Sequence, residues 1–122
     1  MHRVLIVDDE KDIILLFKMV LEMNGFKADT YTDPSLVLSN FKPNSYSLLL
    51  LDIKMPNMNG FELYRKIKKK DNEVKVCFLT AGYTHYALDV DIYNTLGPEC
   101  FIQKPIANEE LIGRVKNMLM ST

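Results

Sequence analysis

Asp52 closes an apolar run, Leu48-Leu49-Leu50-Leu51, and is followed by Ile53-Lys54-Met55-Pro56-Asn57-Met58-Asn59-Gly60. A short continuous apolar run ended by Pro, Asn and Gly reads as a parallel strand buried on both faces. Its carboxylate then emerges at the strand's carboxyl end, where open α/β sheets hold their ligands. Asp8-Asp9-Glu10 closes a second such run, Val4 to Val7, and Thr80 ends a third, Val74 to Leu79. Lys104-Pro105 follows a fourth around Phe101-Ile102. Acids, a hydroxyl and one lysine thus converge from four strand ends. Carboxylates from neighbouring strands, completed by water, suit magnesium, which prefers oxygen ligands in octahedral geometry. Aspartate is a weak nucleophile toward phosphorus and becomes useful once charge is neutralised and the donor is held in line. The chemistry within reach is phosphoryl transfer beside a divalent metal.

The strand ends converge only if the strands share one sheet. Strand and helix signals alternate along the chain, with no linker, repeat or low-complexity segment, which argues for an α/β fold. A first helix is predicted from about Asp12 to Asn24, on the period of Ile13, Ile14, Leu16, Phe17, Val20 and Leu21, with Gly25 to stop it. Phe26 to Tyr31 alternates apolar with polar residues, as a half-exposed edge strand does. Asp33-Pro34 supplies a cap and a first-turn proline. Asn59 and Glu62 have capping-box spacing and open a helix through Lys70. Asn108, ahead of Glu109 and Glu110, starts the last helix, whose stripe is Leu111, Ile112, Val115, Met118 and Leu119. This (βα)5 pattern matches a flavodoxin-like three-layer sandwich with parallel strand order 2-1-3-4-5, which sets the strands ending in Asp8/Asp9 and Asp52 side by side. Between Thr80 and Cys100 the pattern weakens. Tyr83-Thr84-His85-Tyr86 and Asp89 to Tyr93 show no clean stripe and are rich in β-branched and aromatic residues, so a short or irregular fourth helix is expected.

Composition sets the outer bounds. The chain has 122 residues, 48% hydrophobic and 25% charged, which fits one domain with one core. A net charge of −1 gives no global field toward nucleic acid or membrane. No run reaches the roughly 18 apolar residues of a membrane span, and the start lacks a signal-peptide pattern, so a cytoplasmic location is expected.

The order and spacing of Asp8-Asp9, Asp52, Thr80 and Lys104-Pro105 resemble the receiver domain of two-component response regulators, in its chemotaxis-type single-domain form. The resemblance runs from Val4 to about Met118, so residues 1–122 read as one receiver domain, standing alone or cut from a longer regulator. It implies that Asp52 is the phosphoacceptor in an Mg2+-dependent transfer from a sensor histidine kinase, a phosphotransfer protein or a small phosphodonor. Asp9, Asp52 and the backbone carbonyl of Lys54 would then hold the ion, with Asp8 acting through water. Lys104 would set its ammonium, a compact point charge, against a phosphoryl oxygen. The Thr80 hydroxyl and the Ala81 backbone N–H would serve the others. The Lys104–Pro105 bond is usually cis in this family, and Met55-Pro56 and Asn59-Gly60 shape the loop beside the metal. Lys54 and Gly82, two residues beyond the acceptor and the threonine, resemble positions that tune acyl-phosphate lifetime in this family. On phosphorylation the threonine shifts and an aromatic residue near the fifth strand turns inward; Thr80 and Phe101 hold those switch positions. The changed face, of fourth helix, fifth strand and last helix, would meet a downstream effector or output domain, or a second copy. Direct nucleic-acid binding and membrane insertion are not implied. Such a domain catalyses only its own phosphorylation and dephosphorylation, and is not an enzyme acting on a separate metabolite.

The stretch from Thr80 to Cys100 is about two residues longer than in common receivers. Leu96-Gly97-Pro98-Glu99 also replaces the usual alanine-glycine turn. Two rival readings share features with this one. A haloacid dehalogenase-type phosphatase carries its nucleophile as DxD on the first strand, whereas this chain has adjacent Asp8-Asp9 and no cap domain. A pseudo-receiver, a phosphorylation-independent interaction module, has no need of Asp9, Asp52, Thr80 and Lys104 together. Other residues have plainer readings. Cys77 and Cys100 read as small buried hydrophobes, His2 and His85 as surface or loop residues, and Glu10 as a solvated neighbour of the acids. Arg65-Lys66-Ile67-Lys68-Lys69-Lys70 reads as a solvated helix end, favoured by the helix dipole. The seven methionines are scattered as core fillers. Phe101 has a core reading beside its switch reading.

Overall fold

A computed structural model describes residues 2–81 and 89–120. The elements in chain order are β1 (Arg3–Val7), α1 (Lys11–Met23), β2 (Lys27–Tyr31), α2 (Pro34–Asn40), β3 (Leu48–Asp52) and α3 (Gly60–Lys70). After them come β4 (Lys75–Thr80), α4 (Val90–Leu96), a 3₁₀ turn (Pro98–Cys100), β5 (Phe101–Gln103) and α5 (Asn108–Met120). The strands form one parallel sheet in the order β2-β1-β3-β4-β5, as the alternation of signals predicts. β1 pairs with β3 from Val4 opposite Leu48 to Val7 opposite Leu51, so Asp8 and Asp52 leave adjacent strands at the same level.

Because side chains alternate along a strand, each apolar run feeds two cores. Leu5, Val7, Leu49, Leu51, Val76 and Phe78 pack under α2, α3 and α4, against Val37, Leu63, Ile67 and Ile92. Val4, Ile6, Leu48, Leu50, Cys77 and Leu79 pack under α1 and α5, against Phe17, Leu21, Leu111 and Val115. This double burial explains why the central strands read as unbroken apolar runs. β2 is an edge strand; only Ala28 on it is buried and Lys27 is exposed, which matches its alternating sequence.

The local signals hold to within a residue. α1 ends at Asn24 and Gly25, whose φ of +88° is the left-handed conformation glycine adopts without penalty. Asp33 caps α2 by accepting from the Ser35 N–H at 2.9 Å. At α3 both capping-box bonds form, Glu62 N–H to Asn59 at 2.9 Å and Asn59 N–H to Glu62 at 3.0 Å. The fourth helix is short, seven residues capped by Asp89. The segment Tyr83-Thr84-His85-Tyr86 and Gly82 lie outside the described residues.

Gly60 fixes how α3 meets β3. A Cβ at this position would lie 2.3 Å from the Asp52 carbonyl oxygen and 3.1 Å from Ile53 Cα, both backbone atoms. The Gly60 N–H donates to the Ile53 carbonyl at 2.8 Å, so the helix start is tied to the chain just past Asp52. Gly60→Ala is therefore expected to destabilise the fold by about 1–3 kcal/mol, the usual range for overpacking. Urea unfolding measures it, and an unchanged midpoint would show that the two backbones part freely.

Candidate functional site

The carboxyl ends of β1, β3, β4 and β5 bring the predicted residues together around Lys104. Its ammonium donates to Asp8 Oδ2 at 3.0 Å and lies 3.6 Å from Asp52 Oδ1 and 3.4 Å from Glu10 Oε1. The lysine follows β5, so its stem reaches past the ends of β4 and β3 to the acid of β1. Its backbone N–H donates to the Thr80 carbonyl at 2.7 Å, which anchors the residue at the end of β4. The Lys104–Pro105 bond is cis. Thr80 itself is buried and pairs with Gln103.

Asp8 has no exposure at all. Its Oδ2 accepts from Lys104 and its Oδ1 from the Glu10 backbone N–H at 2.9 Å. Buried carboxylates need such partners, because an unpaired charge out of water is strongly unfavourable. Asp52 is also buried, while Asp9 is exposed. Ligand oxygens of Asp8, Asp9 and Asp52 lie within 4.8 Å of one another. Three carboxylates from two neighbouring strand ends form a donor set that fits a hard divalent cation; Asp9 and Asp52 open on a cavity of about 480 Å3 lined also by Lys54, Ala81 and Lys104.

The electrostatics of the site follow from this crowding. Burial pushes the Asp52 carboxyl up to about 7, the nearby Asp8 adds to the rise, and Lys104 and the Lys54 backbone N–H oppose it. Burial works against the Lys104 ammonium. The Asp8 hydrogen bond and the charges of Asp52 and Glu10 outweigh that and hold it above the ordinary lysine value.

Phe101 points into the core. Its ring lies 5.3 Å from Phe78, 6.3 Å from Phe61 and 5.0 Å from Tyr93 on α4, centroid to centroid. Glu10 is more than the solvated neighbour its sequence suggests. Its side chain is 61% exposed, yet its carboxylate joins the Lys104 cluster. The available signal was its position directly after Asp8-Asp9 at a strand end. Arg114 of α5 had no signal in the sequence; its guanidinium donates to the carbonyls of Glu99 (2.9 Å) and Phe101 (2.8 Å), bracing the start of β5.

The plainer readings fit the basic run, His2 and the cysteines but not the methionines: among the described residues only Met55 is buried, while Met19, Met23 and Met120 are exposed. Lys68 donates to the Asn72 carbonyl and Lys70 to the Leu38 carbonyl, and Arg65 pairs with Asp89, so the basic run of α3 is largely engaged within the chain. The His2 ring meets the Ser47 hydroxyl at 3.0 Å in an exposed position, and His85 lies outside the described residues. Burial pushes the Cys77 thiol up to about 12 and raises that of Cys100 as well, so neither is primed as a nucleophile. No helix among the described residues is long and apolar enough to cross a membrane.

Known proteins share this fold. The family described as the response regulator receiver domain matches residues 4–116. The response regulator SaeR of Staphylococcus aureus is 33% identical over 123 residues, covering 98% of this chain and 51% of its own length, so the chain spans about half the length of the curated relatives it matches. The non-phosphorylated HemR receiver domain from Leptospira biflexa superposes with a TM-score of 0.85 at 28% identity, covering 100% of this chain and 97% of that one. The response regulator TrrA from Thermotoga maritima, solved in complex with Mg(2+)-BeF, gives 0.79 at 36% identity over 98% and 100% of the two chains. With its strand order, its acidic strand ends and its half-buried lysine, the chain belongs to the response regulator receiver domains of two-component systems.

Proposed function

We propose that residues 1–122 form a phosphoacceptor receiver in which Asp52 takes a phosphoryl group from a sensor histidine kinase or phosphotransfer protein. The observation that carries this reading is the Lys104 ammonium, held between Asp8 and Asp52 at the mouth of a three-carboxylate cluster. A carboxylate oxygen of Asp52 attacks phosphorus, a P–O bond forms and the P–N bond to the phosphohistidine breaks. The bonding pair leaves with the imidazole nitrogen. Hydrolysis reverses the modification: water attacks the phosphorus, and inorganic phosphate departs from the regenerated carboxylate.

Asp9, Asp52 and the backbone carbonyl of Lys54 are the residues that would hold Mg2+. Both oxygens of Asp8 are already engaged, which suits contact through water. When bound, the ion neutralises charge between carboxylate and phosphoryl oxygens. TrrA, the relative solved with Mg(2+)-BeF, supports this assignment. Lys104 supplies a positive charge to one phosphoryl oxygen, and the Thr80 hydroxyl and Ala81 N–H supply hydrogen bonds to the others. Thr80 and Phe101 act as the switch pair, biasing a face of α4, β5 and α5 toward an effector, an output domain or a second copy. The domain works in the cytoplasm, reacts only on itself and contacts neither nucleic acid nor membrane directly.

Intact-protein mass after incubation with acetyl phosphate and magnesium tests the acceptor. One added phosphoryl group is expected on the wild type, and none on Asp52→Asn or in EDTA. A label that survives the Asp52→Asn change would put the acceptor elsewhere. If neither the mass shift nor beryllofluoride binding is seen, the constitutive interaction module becomes the better reading.

A pH series tests the buried charge. Asp52 titrates near 7 when folded and near 4 in an unfolded chain. Between those values the folded state keeps a proton that the unfolded chain has lost. The contribution of this group is therefore fully present at low pH and is lost as pH rises through 7. In EDTA, Asp52→Asn is expected to raise the urea midpoint. The gain opens above about pH 4, widens with pH and levels off above about pH 7. A gain that stays flat between about pH 5 and 8 would contradict the burial of an ionisable Asp52.

A further inference from the structure

Glu10 is the N-cap of α1, a position where Ser, Thr, Asp and Asn bond the free N–H groups of the first turn. Its side chain makes no such bond. The carboxylate instead lies 3.4 Å from Lys104 Nζ, while the Glu10 backbone N–H donates to Asp8 Oδ1. The two side chains differ sharply in exposure, 61% for Glu10 against 11% for Lys104. Asp8 and Asp52 thus hold the ammonium from the protein side, and Glu10 holds it from the solvent side. Glu10 also lines the cavity on which Asp52 and Lys104 open.

We propose that Glu10 is a positioning residue acting through Lys104, making the ammonium exchange partners before it can bind a phosphoryl oxygen and so disfavouring highly charged small phosphodonors. The proposal rests on the phosphoacceptor reading above. An incoming dianion competes with Glu10 for Lys104 and meets a like charge at the cavity mouth. A monoanionic donor meets less of either effect. A phosphohistidine presented by a protein brings further surface contacts that offset the repulsion; a small donor brings none. The device therefore favours the protein donor over small phosphorylated metabolites.

The test compares initial rates of Asp52 phosphorylation near neutral pH, by intact mass, with dianionic acetyl phosphate and monoanionic phosphoramidate. Wild type, Glu10→Gln and Glu10→Ser are each measured at saturating magnesium. Exposed ion pairs are worth about 0.2–1 kcal/mol, so Glu10→Gln should react about 1.4- to fivefold faster with acetyl phosphate and gain less with phosphoramidate. That donor difference should collapse at about 1 M salt, where the Debye length falls to about 3 Å. Glu10→Ser, neutral but able to cap α1, should match Glu10→Gln. Equal change with both donors, a difference that survives salt, or disagreement between the two variants would overturn the proposal. Wild type that labels while both variants match it would overturn the role of Glu10 alone. Wild type that accepts neither donor would remove the phosphoacceptor reading and this proposal with it.

Discussion

The Lys104 ammonium, set against the buried Asp8 and close to Asp52, is the interaction on which the rest of the site depends. Two carboxylates at the ends of adjacent strands, shielded from water, repel each other and lose solvation. Without a cation between them, one must take up a proton or the strand ends must part. The cation comes from the far side of the sheet. The order β2-β1-β3-β4-β5 sets β5 two strands away from β3, so only a long stem starting at the end of β5 can cover the gap. The bond from the Lys104 N–H to the Thr80 carbonyl fixes where that stem begins.

Beneath the charges lies an aromatic layer that joins the site to α4. Gly60 brings α3 against the Asp52 backbone, and the next residue, Phe61, packs 4.8 Å from Phe78. Phe78 stacks on Phe101, which meets Tyr93. Each ring belongs to a different element: α3, β4, β5 and α4. Close-packed interiors have low compressibility, so these rings form a contiguous packed route from the strand end at Asp52 to the proposed output face. Arg114 holds β5 in register from the other side of the sheet, through the carbonyls of Glu99 and Phe101.

Much of this was legible in the sequence because local chemistry encodes it. The central strands are buried on both faces, so their runs are apolar throughout; β2 is an edge, so its run alternates. Asp33 and the Asn59–Glu62 box satisfy free N–H groups within four residues, and that spacing survives in the chain. Lys104 was legible for another reason, since a lysine immediately after a buried strand has little use without an acid to meet. Three features were not legible. The reach of Glu10 to Lys104 joins residues 94 positions apart. The Arg114 clamp joins a helix face to a strand edge. The close approach at Gly60 leaves no trace in a window of neighbours. All three are tertiary matches, and periodicity reports only which way a side chain faces, not what it finds there.

The charge balance of the site explains why it is poised and not merely stable. Asp8, Glu10 and Asp52 stand within 3.6 Å of the Lys104 ammonium and Asp9 lies beside Asp8 and Asp52, so carboxylates outnumber the ammonium they share. A cluster selected for stability alone would match its charges or replace them with packed apolar groups, which is often neutral or better. Here the imbalance falls on Asp52, whose carboxyl burial and Asp8 push up to about 7. That is the same carboxylate the proposed reaction uses as its nucleophile, for which it must be deprotonated. A group held near neutrality by its surroundings gives up its proton readily when positive charge arrives, and regains it when that charge leaves. The excess of acid therefore weakens the resting fold at the point where a cation or an altered phosphoryl state has the largest effect on it. Functional sites are where local rules of stability are expected to be broken. In this chain the breach lies at the strand ends, above two clusters of packed apolar side chains.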